Sequence, residues 1–154
     1  MNFQVQVSDE PVEIFLIEDN PSDIFLLREA LRQSHSQIHL EVAYGGEEAL
    51  AHLRKEGAHA SAREPNLVLL DLNLPKKTGW EILAELKEDF RLKHIPVLIW
   101  SSASDPSNIR LAYRLNANGY IVKPMDMEHY RVLASYLQDF WIDHFHVDGK
   151  RYLA

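Results

Sequence analysis

The sequence contains no cysteine, which excludes both a disulfide framework and a thiolate metal site. No apolar run approaches the ~18–20 residues of a membrane span. The polar start Met1-Asn2-Phe3-Gln4 does not resemble a signal peptide, so a soluble, cytoplasmic chain without membrane contact is expected. Basic residues are scattered and the formal net charge is −7. The basic face needed to hold a phosphate backbone is therefore missing, and no nucleic-acid partner is expected. A DNA-binding output module would need further chain length, and none is expected. Its 8 histidines form no i, i+4 metal pair with a flanking Glu, and His144 and His146 read as surface residues rather than ligands. There is no internal repeat, low-complexity tract or linker to a second domain.

What is present suits one compact domain. The chain has 154 residues, enough to bury a substantial core, with 46% apolar and 25% charged residues as in ordinary globular proteins. Strand and helix patterns alternate throughout. Val12 to Ile17 is rich in β-formers and runs into Asn20-Pro21-Ser22-Asp23, a helix start with Asn as N-cap and Pro at the first helical position. Ile24, Leu27 and Leu31 follow at helical spacing. Ile38 to Val42 alternates apolar and polar, as an outer strand with one wetter face does. Gly45-Gly46 ends it, and Ala49, Leu50 and Leu53 mark the next helix.

The stretch Gly57 to Pro65 has no periodicity and reads as a loop. Leu67 to Leu70 and Val97 to Trp100 are short continuous apolar runs, the pattern of central strands covered on both faces. Thr78-Gly79 opens a helix carrying Trp80, Leu83 and Leu86. Asp105-Pro106 opens another, with Ile109, Ala112 and Tyr113 expected to face inward. Tyr120 to Val122 is the last strand, and a final helix from Asp126 carries Tyr130, Leu133, Ala134, Leu137 and Trp141. Five successive β–α units imply a parallel sheet with helices on both faces.

Polar groups sit at the ends of these apolar runs. Glu18 and Asp19 close the first strand, Asp71 the third, Ser101 the fourth and Lys123 the fifth. In open α/β sheets, ligands bind outside the carboxyl ends of the strands at a topological switch point. Three carboxylates gathered there repel one another unless a cation joins them. Oxygen ligands without Cys or clustered His select a hard cation, Mg2+ or Ca2+, over zinc. Donors drawn from separate strands suit Mg2+, which binds through one or two carboxylates plus waters and phosphate oxygens. A carboxylate is also a nucleophile toward an activated phosphoryl group. Asp71 is the candidate, with Lys123 as the fixed ammonium and Ser101 as the hydroxyl donor.

These residues resemble those of the response-regulator receiver domains of two-component signalling. The resemblance is carried by Ile17-Glu18-Asp19-Asn20, by Leu69-Leu70-Asp71-Leu72-Asn73-Leu74-Pro75 with Gly79, by Ile99-Trp100-Ser101-Ser102 and by Gly119-Tyr120-Ile121-Val122-Lys123-Pro124. It implies a flavodoxin-like (βα)5 fold, a doubly wound five-stranded parallel sheet of order 2-1-3-4-5, with a receiver domain over 9–145 and a tail over 146–154. It implies that Asp71 accepts a phosphoryl group from a sensor histidine kinase. Glu18, Asp19, Asp71 and the backbone carbonyl of Asn73 would then hold Mg2+, and Ser101 and Tyr120 would form the switch pair. Ser in place of the more usual Thr, and Glu-Asp in place of Asp-Asp, keep the required chemistry.

The run Asn66 to Lys77, the long loop before it and Phe140-Trp141 are similar to single-domain regulators paired with phytochrome-type kinases. Tyr130, Leu133, Leu137, Phe140, Trp141 and Phe145 are more than one helix face can bury. Either the tail folds back over the core or these residues form a homodimer seam, and the resemblance favours a dimer through the last two helices and the tail. The expected protein is a stand-alone phosphorylated switch rather than an enzyme, beyond self-phosphorylation from small donors and autodephosphorylation. The competing readings are a haloacid-dehalogenase-like phosphatase and a receiver fold used for binding without phosphorylation. The phosphatase would carry a second acid where Asn73 stands.

Overall fold

The structure, a computed structural model, describes residues 11–33 and 38–138. Five strands, β1 (Val12–Ile17), β2 (Ile38–Ala43), β3 (Leu67–Asp71), β4 (Val97–Ser101) and β5 (Gly119–Val122), alternate with five helices. The helices are α1 (Pro21–Arg32), α2 (Gly46–Leu53), α3 (Gly79–Glu88), α4 (Pro106–Arg114) and α5 (Met127–Tyr136). All strand pairs are parallel and lie in the order β2-β1-β3-β4-β5, the expected doubly wound flavodoxin-like arrangement. Phe140, Trp141, His144, Phe145, His146 and the tail over 146–154 lie outside the described residues. So do both ends of the expected domain span. Among the described residues no helix is long and apolar enough to cross a membrane.

The two-residue period of a strand divides the core in two. In β1, Ile14 and Leu16 face one side, where they meet Leu27 and Leu31 of α1 and Leu133 and Leu137 at the C-terminal end. Phe15 and Ile17 face the other, against Leu50 of α2 and Ile82 and Leu83 of α3. The central strands β3 and β4 are buried at every position, because helices cover both faces. Outer strand β2 alternates half-buried and exposed residues along most of its length, as its sequence predicts. Caps fix the helix starts that face the C-terminal sheet edge. Asn20 Oδ1 accepts the N–H groups of Ser22 and Asp23 at 2.9 and 3.2 Å, and Thr78 Oγ1 accepts that of Glu81 at 3.3 Å.

Two expectations are corrected. The loop after α2 opens with a 3-10 turn, Gly57–His59, because Lys55 and Gly57 take φ of 56° and 53° and wind the chain back on itself. Tyr113 does not face inward and is half exposed. The inward stripe of α4 runs through Ile109, Ala112 and Leu115, and Tyr113 lies about 100° round the helix from Ala112.

At the opposite edge of the sheet, His52 of α2 stacks on Phe15 with ring centroids 4.4 Å apart. Burial there holds its imidazole below the ordinary 6.5, although Glu41 pulls the other way. The unfolded chain therefore takes up a proton at a pH where the folded one does not. The stability this provides is complete above pH 6.5 and falls as pH drops through that value. Denaturation midpoints at pH 7.5 and pH 5 should fall further for the wild type than for His52→Gln. Equal falls would assign the acid sensitivity elsewhere.

Candidate functional site

Strands β1, β3, β4 and β5 bring their C-terminal residues to one rim. Glu18 and Asp71 are buried there, while Asp19 faces solvent. One carboxylate oxygen from each of Glu18, Asp19 and Asp71 lies within 4.8 Å of the others. The set is all oxygen, highly negative and open on the Asp19 side, and so fits a hard divalent cation rather than zinc. Lys123 reaches into it from beyond β5, fixed by its own N–H on the Ser101 carbonyl at 2.8 Å. Its Nζ lies 2.7 Å from Glu18 Oε2, 2.9 Å from Asp23 Oδ2 and 3.6 Å from Asp71 Oδ1.

Burial dominates the electrostatics of Glu18, pushing its carboxyl up to about 7 against the opposing pull of Lys123 and the Asn20 N–H, with the Asp71 charge adding to the rise. Burial alone would lower Lys123, but its hydrogen bonds to Glu18 and Asp23 outweigh that and hold the ammonium above its usual range. Both oxygens of Glu18 are engaged. Oε1 accepts the N–H groups of Asp19 and Asn20 at 3.1 and 3.0 Å, and Oε2 accepts Trp100 Nε1–H at 3.1 Å beside Lys123.

The remaining expected residues fall around this cluster. The N–H of Asn73 donates to Asp71 Oδ1 at 3.2 Å, so its backbone lies on the rim of that carboxylate. Ser101 Oγ accepts the Ala103 N–H at 3.1 Å, and Tyr120 donates its hydroxyl to the Ala103 carbonyl at 2.7 Å. The two thus share one residue of the β4–α4 loop. Gly79, at the start of α3, stands against the same backbone. A Cβ there would lie 2.3 Å from the Asp71 carbonyl oxygen and 2.6 Å from Leu72 Cα.

Three participants escape the sequence pattern. Asp23 reads only as an acid in the first turn of α1, yet it shares Lys123 with Glu18. Trp100 and Tyr130 read as core residues, yet both donate into the site. The signal was available for these two, since a buried indole N–H or phenol O–H must find an acceptor.

The receiver-domain model of response regulators matches residues 14–134. Response regulator Rcp1 of Synechocystis is 35% identical over 88% of this chain and 92% of its own. The crystal structure of the phosphorylated cyanobacterial phytochrome response regulator RcpA superposes with a TM-score of 0.82. It is 41% identical and covers 88% of this chain and 96% of that one. The Mn2+-bound form of Rcp1 superposes with a TM-score of 0.79 at 33% identity, over 94% of this chain and 100% of that one. This chain belongs to the response-regulator receiver family. Within it, the chain is related to the phytochrome-associated response regulators.

Proposed function

We propose that this chain is a stand-alone response regulator, a single receiver domain over 9–145 with a tail over 146–154, that accepts a phosphoryl group on Asp71 from a phytochrome-type sensor histidine kinase. The observation that carries the reading is a buried carboxylate, Asp71, with Lys123 Nζ 3.6 Å away and two further acids beside it. In the transfer, the phosphorus–nitrogen bond of the kinase phosphohistidine breaks as a bond forms to an Asp71 oxygen. The electron pair returns to the imidazole, which takes a proton from solvent. Mg2+, held by Glu18, Asp19, Asp71 and the Asn73 carbonyl, would shield the approaching negative charges.

Lys123 supplies the fixed counter-charge for the phosphoryl oxygens. Ser101 supplies a hydroxyl donor from the end of β4. Its turn toward the phosphoryl group gives up the Ala103 N–H, and the loop released in this way is the one that Tyr120 holds at the Ala103 carbonyl. Phosphorylation thus biases two arrangements of the β4–α4 loop, and the output is a change of protein contacts. Homodimerisation is part of this reading. Leu111, Tyr113, Val122, Met125 and Val132 are exposed along α4, β5, α5 and their junctions, an apolar surface that a second copy would cover. The phosphatase alternative finds no support, since Asn73 stands where its second acid would be.

Phosphotransfer profiling against the histidine kinases of the same genome tests the proposal. Rapid labelling from a phytochrome-type kinase, lost with Mg2+ removal, is the expected result. Labelling from none of them, or labelling indifferent to Mg2+, would sink it. Sedimentation at high concentration, with and without beryllofluoride, should show a dimer in at least one state. A monomer in both would remove the dimer.

A further inference from the structure

Lys123 is tied up in the resting protein. Its ammonium bridges Glu18 Oε2 at 2.7 Å and Asp23 Oδ2 at 2.9 Å and is farther from Asp71, at 3.6 Å. Its charge is then shared with a third anion when a phosphoryl group sits on Asp71, which weakens its hold on both shorter contacts. A buried carboxylate stripped of its counter-ion is costly unless other donors remain. Glu18 is fully buried, so the question is acute there.

Glu18 Oε1 keeps the Asp19 and Asn20 N–H groups. Beyond these, each of the two carboxylates has one aromatic donor besides Lys123, and those two donors touch. Trp100 Nε1–H donates to Glu18 Oε2 at 3.1 Å, and the Tyr130 hydroxyl donates to Asp23 Oδ1 at 3.3 Å. The rings meet edge to face, with centroids 5.8 Å apart and planes at 62°. Both side chains are fully buried, Trp100 on β4 next to Ser101 and Tyr130 on α5. Neither has rotational room to follow Lys123 when it moves.

We propose that Trp100 and Tyr130 form an aromatic bracket that positions Glu18 and Asp23 and keeps both carboxylates hydrogen-bonded when Lys123 turns to the phosphoryl group. They are positioning residues, because they act through the two carboxylates and touch no reacting atom. This deepens the proposed function and rests on that reading, since it is phosphorylation that draws Lys123 away. The bracket leaves the metal-loaded resting state nearly unaffected, where Lys123 still serves both acids. It stabilises the phosphorylated arrangement, where Glu18 Oε2 would otherwise rest on a weakened Lys123 contact. The pair also joins the site to α5 through Tyr130, so the same contact carries the state of Lys123 to that helix.

The test separates these two states in the full-length protein, comparing wild type with Trp100→Phe and Tyr130→Phe. Binding of Mg2+ alone should weaken less in either variant than the uptake of beryllofluoride does, because Lys123 still holds both acids there. Uptake of beryllofluoride at saturating Mg2+, followed by fluorine NMR, should weaken roughly tenfold or more in Trp100→Phe, the loss expected for a hydrogen bond to a charged group. In Tyr130→Phe it should weaken about threefold or more, because that bond is longer and Asp23 keeps some solvent. In the wild type, the Trp100 indole N–H resonance, recognised by its cross-relaxation with the Tyr130 ring, should keep its hydrogen-bonded shift on beryllofluoride addition. That measurement stands even if Trp100→Phe does not fold. An indole resonance that moves to the unbonded position, or equal beryllofluoride uptake by all three proteins, would overturn the bracket alone. A wild type that takes up no beryllofluoride would overturn the proposed function and the bracket with it.

Discussion

Asp71→Asn is expected to reduce labelling by a small phosphodonor in the presence of Mg2+ by a factor on the order of 10^4 or more, as removal of a covalent nucleophile does elsewhere. An amide is a poor nucleophile, and among the described residues no other buried carboxylate can substitute. Glu18 already accepts two backbone N–H groups, Trp100 and Lys123. Asp19 is at the exposed lip. The variant should also lose most of the Mg2+-dependent rise in melting temperature. For the wild type at 100 times the dissociation constant, that rise corresponds to about 2.7 kcal/mol. Loss of labelling with the fold intact separates a missing nucleophile from a collapsed site. Full labelling of the variant would remove Asp71 as the acceptor.

Gly79→Ala is expected to be the most damaging single methyl addition near the site. The added Cβ would lie 2.3 Å from the Asp71 carbonyl oxygen, 2.6 Å from Leu72 Cα and 3.0 Å from the Asp71 carbonyl carbon. These are backbone atoms at the end of a central strand, tied in turn by the Gly79 N–H to the Leu72 carbonyl at 3.1 Å. No flexible side chain is available to yield. Either the start of α3 moves away from β3 or Asp71 itself is displaced. A loss of at least about 3 kcal/mol is expected, at the upper end of the cost of overpacking, read as a shift of the urea midpoint at constant slope. Phosphodonor labelling should fall even where the variant remains folded. Gly46 makes a useful contrast: its added Cβ would meet Ile82 Cδ1 at 2.8 Å and Lys77 Cβ at 2.9 Å, both side-chain atoms. Comparable losses at the two positions would mean that the approach of Gly79 to Asp71 has no special weight.

The sheet was legible in the sequence because continuous apolar runs and alternating ones mark central and outer strands differently. Leu67–Asp71 and Ile38–Ala43 show the two patterns side by side. The meeting of Glu18, Asp19, Asp71 and Lys123 was legible for a related reason, since each closes a strand whose direction the alternation fixes. Asp23 was not, because helix periodicity says which face it occupies and not which distant lysine arrives there. The neighbours Leu98 and Ile99 make Trp100 read as packing, and the pattern carries no mark of its polar end. Tyr113 differs from expectation because an apolar stripe at helical spacing has an edge, and the pattern alone does not say on which side of that edge a residue falls.

The Lys123–Asp23 pair joins residues 100 apart in sequence, and its ammonium arrives just past β5, at one edge of a sheet in which β1 and β3 are both inner strands. Contacts so distant close large loops and form only when most of the chain is already in place. During synthesis, which proceeds from the amino end, the acids of β1 and β3 emerge well before the lysine that balances them. The complete site is therefore among the last things the folding chain acquires. On the proposed function, competence to take a phosphoryl group then doubles as a certificate that the last strand has docked, and a half-made regulator is silent by construction.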